Sequence, residues 1–144
     1  MKPEIKTIDK KKFLGNKIEM SFADNKTKEL WKNFIPKIKD IKNNIGNEFY
    51  SIDIYPPLFF KNFNPNNKMV KWAAVEVSDF VSIPENMEKF VSPKGLYAVF
   101  LYKGLASKVF EMYQNILQNW LPVSGYYLDN RPHFAVMGEK YSNN

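Results

Sequence analysis

Residues 12–22 have the sequence KFLGNKIEMSF, in which apolar and polar side chains alternate from Lys17 onward. In an extended chain this alternation places Ile18, Met20 and Phe22 on one face. The pattern predicts a β-strand with one buried face, and a helix is predicted to follow it.

The helix is predicted because apolar residues recur at steps of three and four, with lysines on the opposite side. Asp24 and Asn25 offer N-cap oxygens, and Gly46 is a suitable residue just beyond the C-terminus. Pro36 lies inside the pattern and is expected to kink the helix or interrupt one of its hydrogen bonds. The apolar positions are Leu30, Trp31, Phe34, Ile38, Ile41 and Ile45.

Two further strands complete the first half of the chain. Residues 49–55 (FYSIDIY) end at Pro56 and Pro57, and residues 69–77 (MVKWAAVEV) follow a loop rich in Asn, Phe and Pro. The first half is therefore predicted to be β-α-β-β.

The second half repeats part of this order after a connector at residues 78–94. Residues 95–102 (GLYAVFLY) predict a strand, and residues 109–120 predict an amphipathic helix that ends at Pro122. After a turn, a last strand is predicted to begin at His133.

The element order predicts an α+β fold in which one β-α-β-β unit is used twice, in residues 12–77 and 95–144. We expect a single domain with an antiparallel sheet, two helices, a pseudo-twofold axis and a ligand cleft between the halves. The second unit lacks its last strand. Because proteins normally avoid an unpaired strand edge, we expect the natural domain to continue beyond Asn144.

The chain is basic, but its basic residues argue against nucleic-acid recognition. The formal net charge is +6, yet Arg131 is the only arginine. Arginine is the residue that pairs bidentately with guanine and stacks on bases, so dispersed lysines favour a solvated surface. No direct nucleic-acid binding is expected.

Several other classes are excluded by what the sequence lacks. It has no cysteine, no secretory signal and no apolar run long enough for a transmembrane helix, so a cytoplasmic protein without membrane attachment is predicted. His133 is the only histidine, and the sequence has no nucleophile elbow and no glycine-rich phosphate loop. No metal site, histidine-based triad or phosphate loop is therefore expected, and no cofactor or catalytic residue is assigned.

Glu76 is the candidate charged residue of a binding site. It lies between Val75 and Val77 in a predicted strand, so its side chain points away from theirs. A solvated sheet face is one explanation. The other is a buried carboxylate among aromatic side chains, with a raised pKa, that holds a cationic ligand or acts as a general base.

Aromatic residues make up 16% of the chain and favour a small-molecule pocket. Those at helical spacing, such as Trp31 and Tyr113, are more often core residues. Tyr50, Trp72 and Tyr97 lie on predicted strands. One face of an antiparallel sheet packs on the helices, so aromatic side chains on the other face are costly unless they bind something.

Three stretches of the second half resemble the AraC-type effector-binding, or gyrase-inhibitory-protein-like, family. They are residues 92–100 (SPKGLYAVF), 119–126 (NWLPVSGY) and 131–134 (RPHF). Weaker matches at residues 30–34 (LWKNF) and 74–77 (AVEV) extend the resemblance over nearly the whole chain.

The resemblance implies a duplicated β-α-β-β fold with hydrophobic, often cationic, ligands bound between the copies. It implies roles as sensor domains of multidrug-responsive regulators or as free-standing proteins. Some free-standing members look like hydrolases of cyclopropane-bearing toxins, and one branch protects DNA gyrase. The sequence departs from the family at Ala135, where a glutamate is common, and in having no closing strand after Asn144.

The leading hypothesis is a free-standing sensor or scavenger of a hydrophobic or amphipathic small molecule, including cations. One alternative is a hydrolase in which Glu76 or Glu139 activates water against a strained electrophile. Another is a module that binds a protein partner such as a topoisomerase. The expected ligand-binding residues are Tyr50, Trp72, Glu76, Tyr97, Tyr113 and Trp120, with His133 and Ala135 at the floor of the cleft.

Overall fold

A computed structural model describes residues 2–61, 63–103 and 108–137. The strands of the described residues are β1 Glu4–Ile8, β2 Lys11–Ser21, β3 Phe49–Ile54, β4 Lys68–Val77, β5 Glu88–Ser92, β6 Gly95–Val99 and β7 His133–Met137. Their pairings are all antiparallel and form a five-stranded sheet in the order β5-β2-β4-β3-β7 and a two-stranded sheet of β1 and β6. The predicted α+β class with an antiparallel sheet is confirmed.

The chain forms two compact units. The larger unit contains the five-stranded sheet and the helix that follows β2, and the smaller unit contains β1, β6 and the helical segments of the second half.

Two strands were missed by the sequence patterns. β5 lies within residues 78–94, where the sequence predicted a connector and no strand. The pairing of Phe90 with Phe13 and of Val91 with Lys12 makes this short segment a strand. β1 was not predicted and forms by pairing with β6.

The first helix is shorter than predicted. α1 spans Thr27–Phe34, and a 3₁₀ segment follows it at Ile35–Asp40 with Pro36 in its first turn. Pro36 has no N–H to donate, so it ends the α-helical ladder, as the sequence indicated. The predicted extension to Gly46 is wrong, because the chain is already extended at Ile41.

The helical part of the smaller unit has three consecutive segments, α2 at Val109–Asn115, a π-helical turn at Ile116–Trp120 and α3 at Leu121–Ser124. The predicted end at Pro122 is wrong. Pro122 lies in the first turn of α3, directly after the π-helical turn, and the helical chain continues past it to Ser124. The helix ends at Gly125, whose φ of 82° suits the left-handed conformation of a C-terminal glycine.

The five-stranded sheet has two faces with different cores. One face packs on α1 and is called the helix face; its buried sheet residues are Leu14, Ala73, Val75 and Val77, packed on Leu30 and Phe34. The opposite face is called the aromatic face; its buried residues are Phe13, Tyr50, Ile52, Trp72 and Ala74. The sheet thus separates two buried layers: one contains the side chains of α1, and in the other Phe13, Tyr50 and Trp72 lie together.

Gly15 allows β2 and β4 to approach each other on this sheet. A Cβ at position 15 would collide with the carbonyl oxygen of Ala73 and with Ala74.

None of the helices in the described residues is long and apolar enough to span a membrane.

Candidate ligand-binding site

Three of the predicted site residues, Tyr50, Trp72 and Glu76, lie together on the aromatic face. Trp72 and Glu76 are separated by an even number of positions on β4, so their side chains share a face. Tyr50 is on β3 and pairs with Ala74, which lies between those two residues on that same face. The central strand therefore presents an indole, a methyl group and a carboxylate in line.

The rings on this face pack against one another at close range. Phe13 contacts Tyr50 edge-on with ring centroids 4.9 Å apart, and Trp72 contacts Phe90 at 5.2 Å. Trp72 is 4% exposed and Tyr50 is 7% exposed. Such edge and tilted contacts hold the rings in defined orientations.

Glu76 is placed at the edge of this ring cluster and is held by two donors. The Lys11 ammonium lies 3.3 Å from each of its carboxylate oxygens. The Tyr50 hydroxyl donates to Oε1 at 3.4 Å. Glu76 has a side-chain exposure of 15% and Lys11 of 26%, so the pair is partly withdrawn from water.

Burial and the negative charge of Glu76 raise the pKa of Tyr50 to about 12. A phenolate next to a carboxylate in this setting is unfavourable, because both the loss of water and the like charge oppose ionisation. Tyr50 therefore stays a neutral donor at physiological pH.

Trp72 has two features that mark the face as able to receive a ligand. Among the described residues, no side chain or backbone group accepts a hydrogen bond from its buried indole N–H. A buried donor left without an acceptor carries a free-energy cost. The Lys17 ammonium lies 5.5 Å from the centroid of the Trp72 ring, so a cation already occupies a π-face.

A surface cavity of about 460 Å³ opens at one end of the aromatic face. Its lining includes Ile54 and Val70, which also pack against the ring cluster. Val70 lies two positions from Trp72 on β4, so its side chain shares the face of the indole, although Trp72 itself does not line the cavity. A separate cavity of about 520 Å³ is lined mainly by polar and charged residues and does not include residues of the ring cluster.

His133 and Ala135 lie on the helix face and are not brought together with Glu76. Strand register pairs His133 with Asp53 and Ala135 with Ser51, and Ser51 pairs in turn with Ala73 of the helix face. Ala135 is exposed. A glutamate at position 135 would therefore lie across the sheet from Glu76.

His133 contacts aromatic rings on its own side of the sheet. Its ring stacks on Phe60 with centroids 6.0 Å apart and meets Tyr55 edge-on at 5.0 Å. Burial lowers the pKa of His133, and the nearby Asp53 carboxylate opposes this shift only in part. The surroundings of His133 therefore favour its neutral form.

The remaining predicted site residues belong to the smaller unit. Tyr97 is on β6, Tyr113 is on α2, and Trp120 packs edge-on against Phe100 at 5.2 Å. Glu139, the second carboxylate of the hydrolase alternative, lies outside the described residues. Across the described ranges, no cluster of His, Asp and Glu side chains forms a metal site.

Sequence reasoning missed Lys11, Phe13 and Phe90, which complete the site. Extending the alternation of β2 back from Lys17 places Lys11 and Phe13 on one face, so that signal was present. Phe90 could not be assigned to a strand from the sequence, because the segment around it has too few alternating residues.

These features define a class of protein: an α+β domain that places a carboxylate beside a cluster of aromatic side chains on the sheet face opposite its helix. Residues 4–144 match the family model of Cass2, the integron-associated effector binding protein, and the chain belongs to this family. The resemblance to effector-binding domains that the sequence motifs indicated is confirmed.

One relative in sequence and two solved structures are similar to this chain over much of its length. The transcriptional regulator BrlR of Pseudomonas aeruginosa is 32% identical over 98 residues, which are 67% of this chain but only 33% of the regulator. The structure of SAV2435 bound to tetraphenylphosphonium has a TM-score of 0.69 at 15% identity, covering 93% of this chain and 81% of that one. EcmrR, from a structure of the EcmrR–DNA complex in EcmrR-RPo, has a TM-score of 0.60 at 20% identity, covering 90% of this chain and 47% of that one.

Proposed function

We propose that the chain binds a hydrophobic organic cation on the aromatic face, with Glu76 as the counter-charge. The observation that carries this proposal is the placement of the Glu76 carboxylate on the same sheet face as Tyr50 and Trp72, where Tyr50 donates to it at 3.4 Å. A carboxylate with low exposure attracts a cation more strongly than one in bulk water.

The rings supply the second part of the affinity. Each Å² of apolar ligand surface that they bury contributes about 25 cal/mol. The face of Trp72 already attracts the Lys17 ammonium, and the same quadrupole attracts a ligand cation. A lipophilic cation offers both a positive charge for Glu76 and apolar surface for the rings, whereas a neutral aromatic compound offers only the apolar surface.

The cavity beside Ile54 and Val70 supports a route to this surface. Its volume of about 460 Å³ falls in the usual range for sites of drug-sized molecules. A ligand that enters there reaches Trp72 first and Glu76 next, since both lie farther along β4 on the same face.

The relatives support the same class of ligand. SAV2435 was solved with tetraphenylphosphonium, a lipophilic cation, and the family to which this chain belongs is one of effector-binding proteins. A sensor and a scavenger both need such a site. They differ in whether ligand binding alters contacts with another molecule.

The test is a calorimetric titration of tetraphenylphosphonium into the protein and its Glu76→Gln variant. We expect the variant to bind about tenfold or more weakly, because it keeps the shape of the site and loses the charge. Neutral triphenylphosphine oxide is expected to bind the two proteins equally.

Two control variants make the test specific. Glu29→Gln removes the same charge from α1, and Ala135→Glu adds a carboxylate on the helix face; both should leave the affinity for the cation within about twofold of the parent. Equal binding by the Glu76→Gln and Glu29→Gln variants, or no binding by the parent, would refute the proposal.

A further inference from the structure

We infer that Lys11 is a resident cation of the aromatic-face site, which a ligand must displace from Glu76 and which thereby selects bulky aromatic cations over small ones. This inference rests on the proposed function. It concerns how the site chooses among cations rather than whether it binds them.

The geometry shows Lys11 in the place of a ligand cation. Its ammonium lies 3.3 Å from both carboxylate oxygens of Glu76. Lys11 begins β2, and its backbone is paired with Ser92 of β5. The main chain at this point is held in the sheet, so only the flexible side chain is free to leave the carboxylate.

The exposures of the two partners are unequal, and this makes displacement of the lysine the easier change. The Lys11 side chain is 26% exposed, against 15% for Glu76. A lysine ammonium that swings outward on its long stem regains water. The less exposed carboxylate would be left without its main partner, which is costly, unless another cation takes that place.

Ligand binding at Glu76 is therefore an exchange of one cation for another. A small alkylammonium offers the carboxylate nothing that Lys11 does not already provide, so it gains little. A cation with aromatic substituents brings additional apolar area to the partly buried side chains of this cluster, such as Val70 and Phe90, and this area decides the exchange. Every cation must supply the free energy that displaces Lys11 from Glu76. Only cations with aromatic surface gain enough from the neighbouring apolar side chains to do so.

The neighbouring lysine provides a matched control. Lys12 is the next residue on β2 and its side chain points to the other side of the sheet, where its ammonium lies 5.9 Å from the Phe80 ring. Replacing it changes the net charge by the same amount without touching Glu76.

The experiment is a titration of tetraphenylphosphonium and of tetramethylammonium into the parent and its Lys11→Met and Lys12→Met variants. We expect Lys11→Met to bind tetraphenylphosphonium about tenfold more tightly and to acquire measurable binding of tetramethylammonium. Lys12→Met should match the parent for both ligands. Triphenylphosphine oxide, which is neutral, should bind all three proteins alike.

The outcomes separate this inference from the proposed function. If Glu76→Gln weakens binding of tetraphenylphosphonium but Lys11→Met does not strengthen it, Lys11 is not a competing cation and the proposed function stands. If neither the parent nor Lys11→Met binds tetraphenylphosphonium, both are wrong. Should Lys11→Met fail to fold by circular dichroism, Lys11→Gln, which keeps a polar side chain, is measured in its place with the same expectations.

Discussion

Tyr50 and His133 show how burial on the two faces of one sheet sets the ionisation of single residues. Both pKa values move in the direction that disfavours charge, upward for the phenol and downward for the imidazole. On the aromatic face the neutral phenol donates to Glu76. On the helix face Asp53 pairs with Lys71 at 3.1 Å, so much of its charge is already compensated and it does little to hold a proton on His133.

The lowered pKa of His133 predicts a specific loss of stability in mild acid. The folded state binds this proton more weakly than the unfolded state, so stability from this residue is full above about pH 6.5 and falls as the pH drops through the lowered folded value. Thermal unfolding of the parent and of His133→Phe, which keeps a ring against Phe60, measures this between pH 7.5 and pH 5. We expect the parent to lose more stability than the variant; parallel pH curves would contradict the assignment.

α1 is a short element whose stability comes from one packed face. Its buried residues, Leu30 and Phe34, enter the core over the helix face, and Pro36 prevents further α-helical turns that could add more. Helices of this length are not stable alone in water, so tertiary packing maintains it.

A pair of adjacent substitutions tests this dependence on packing. Phe34 is 0% exposed and Ile35 is 52% exposed, although they are neighbours at the end of the helix. Phe34→Ala should lower the free energy of unfolding by about 3–5 kcal/mol because it leaves a cavity. Ile35→Ala should change it by less than about 1 kcal/mol. Urea denaturation measures both, and similar losses for the two variants would show that the helix face is not the main support of α1.

At the scale of the whole molecule, the charge is positive but is carried almost entirely by lysine. Six of the lysines in the described residues form ion pairs, as Lys17 does with Glu88 and Lys68 with Glu19. Pairing of this kind reduces the field that a polyanion would experience.

This distribution predicts only weak, sequence-independent attraction to DNA. Binding of two unrelated duplexes, followed by fluorescence anisotropy, should be equal for both and should be lost between about 50 mM and 200 mM salt, as expected of phosphate contacts alone. Retention of one duplex over the other at the higher salt concentration would show base recognition and would overturn the interpretation of the lysines.

Much of the fold was predictable because the elements that were found carry strong local periodicity. β2 alternates from Lys17 onward, β3 and β4 are apolar runs rich in β-branched and aromatic residues, and the break at Pro36 follows from the missing N–H of proline alone. β1 and β5 were not predictable, since each is short and becomes a strand by pairing with a distant segment.

The sequence by itself determined the α+β class, the effector-binding family and the opposite orientations of Glu76 and its valine neighbours, because all three depend on local order along the chain. Only the tertiary structure decided which aromatic residues share a face with Glu76 and that His133 and Ala135 lie on the opposite face. It also decided that the Lys11 ammonium lies against the carboxylate of Glu76. Those facts depend on strand register, and a shift of one residue in pairing would exchange the two faces.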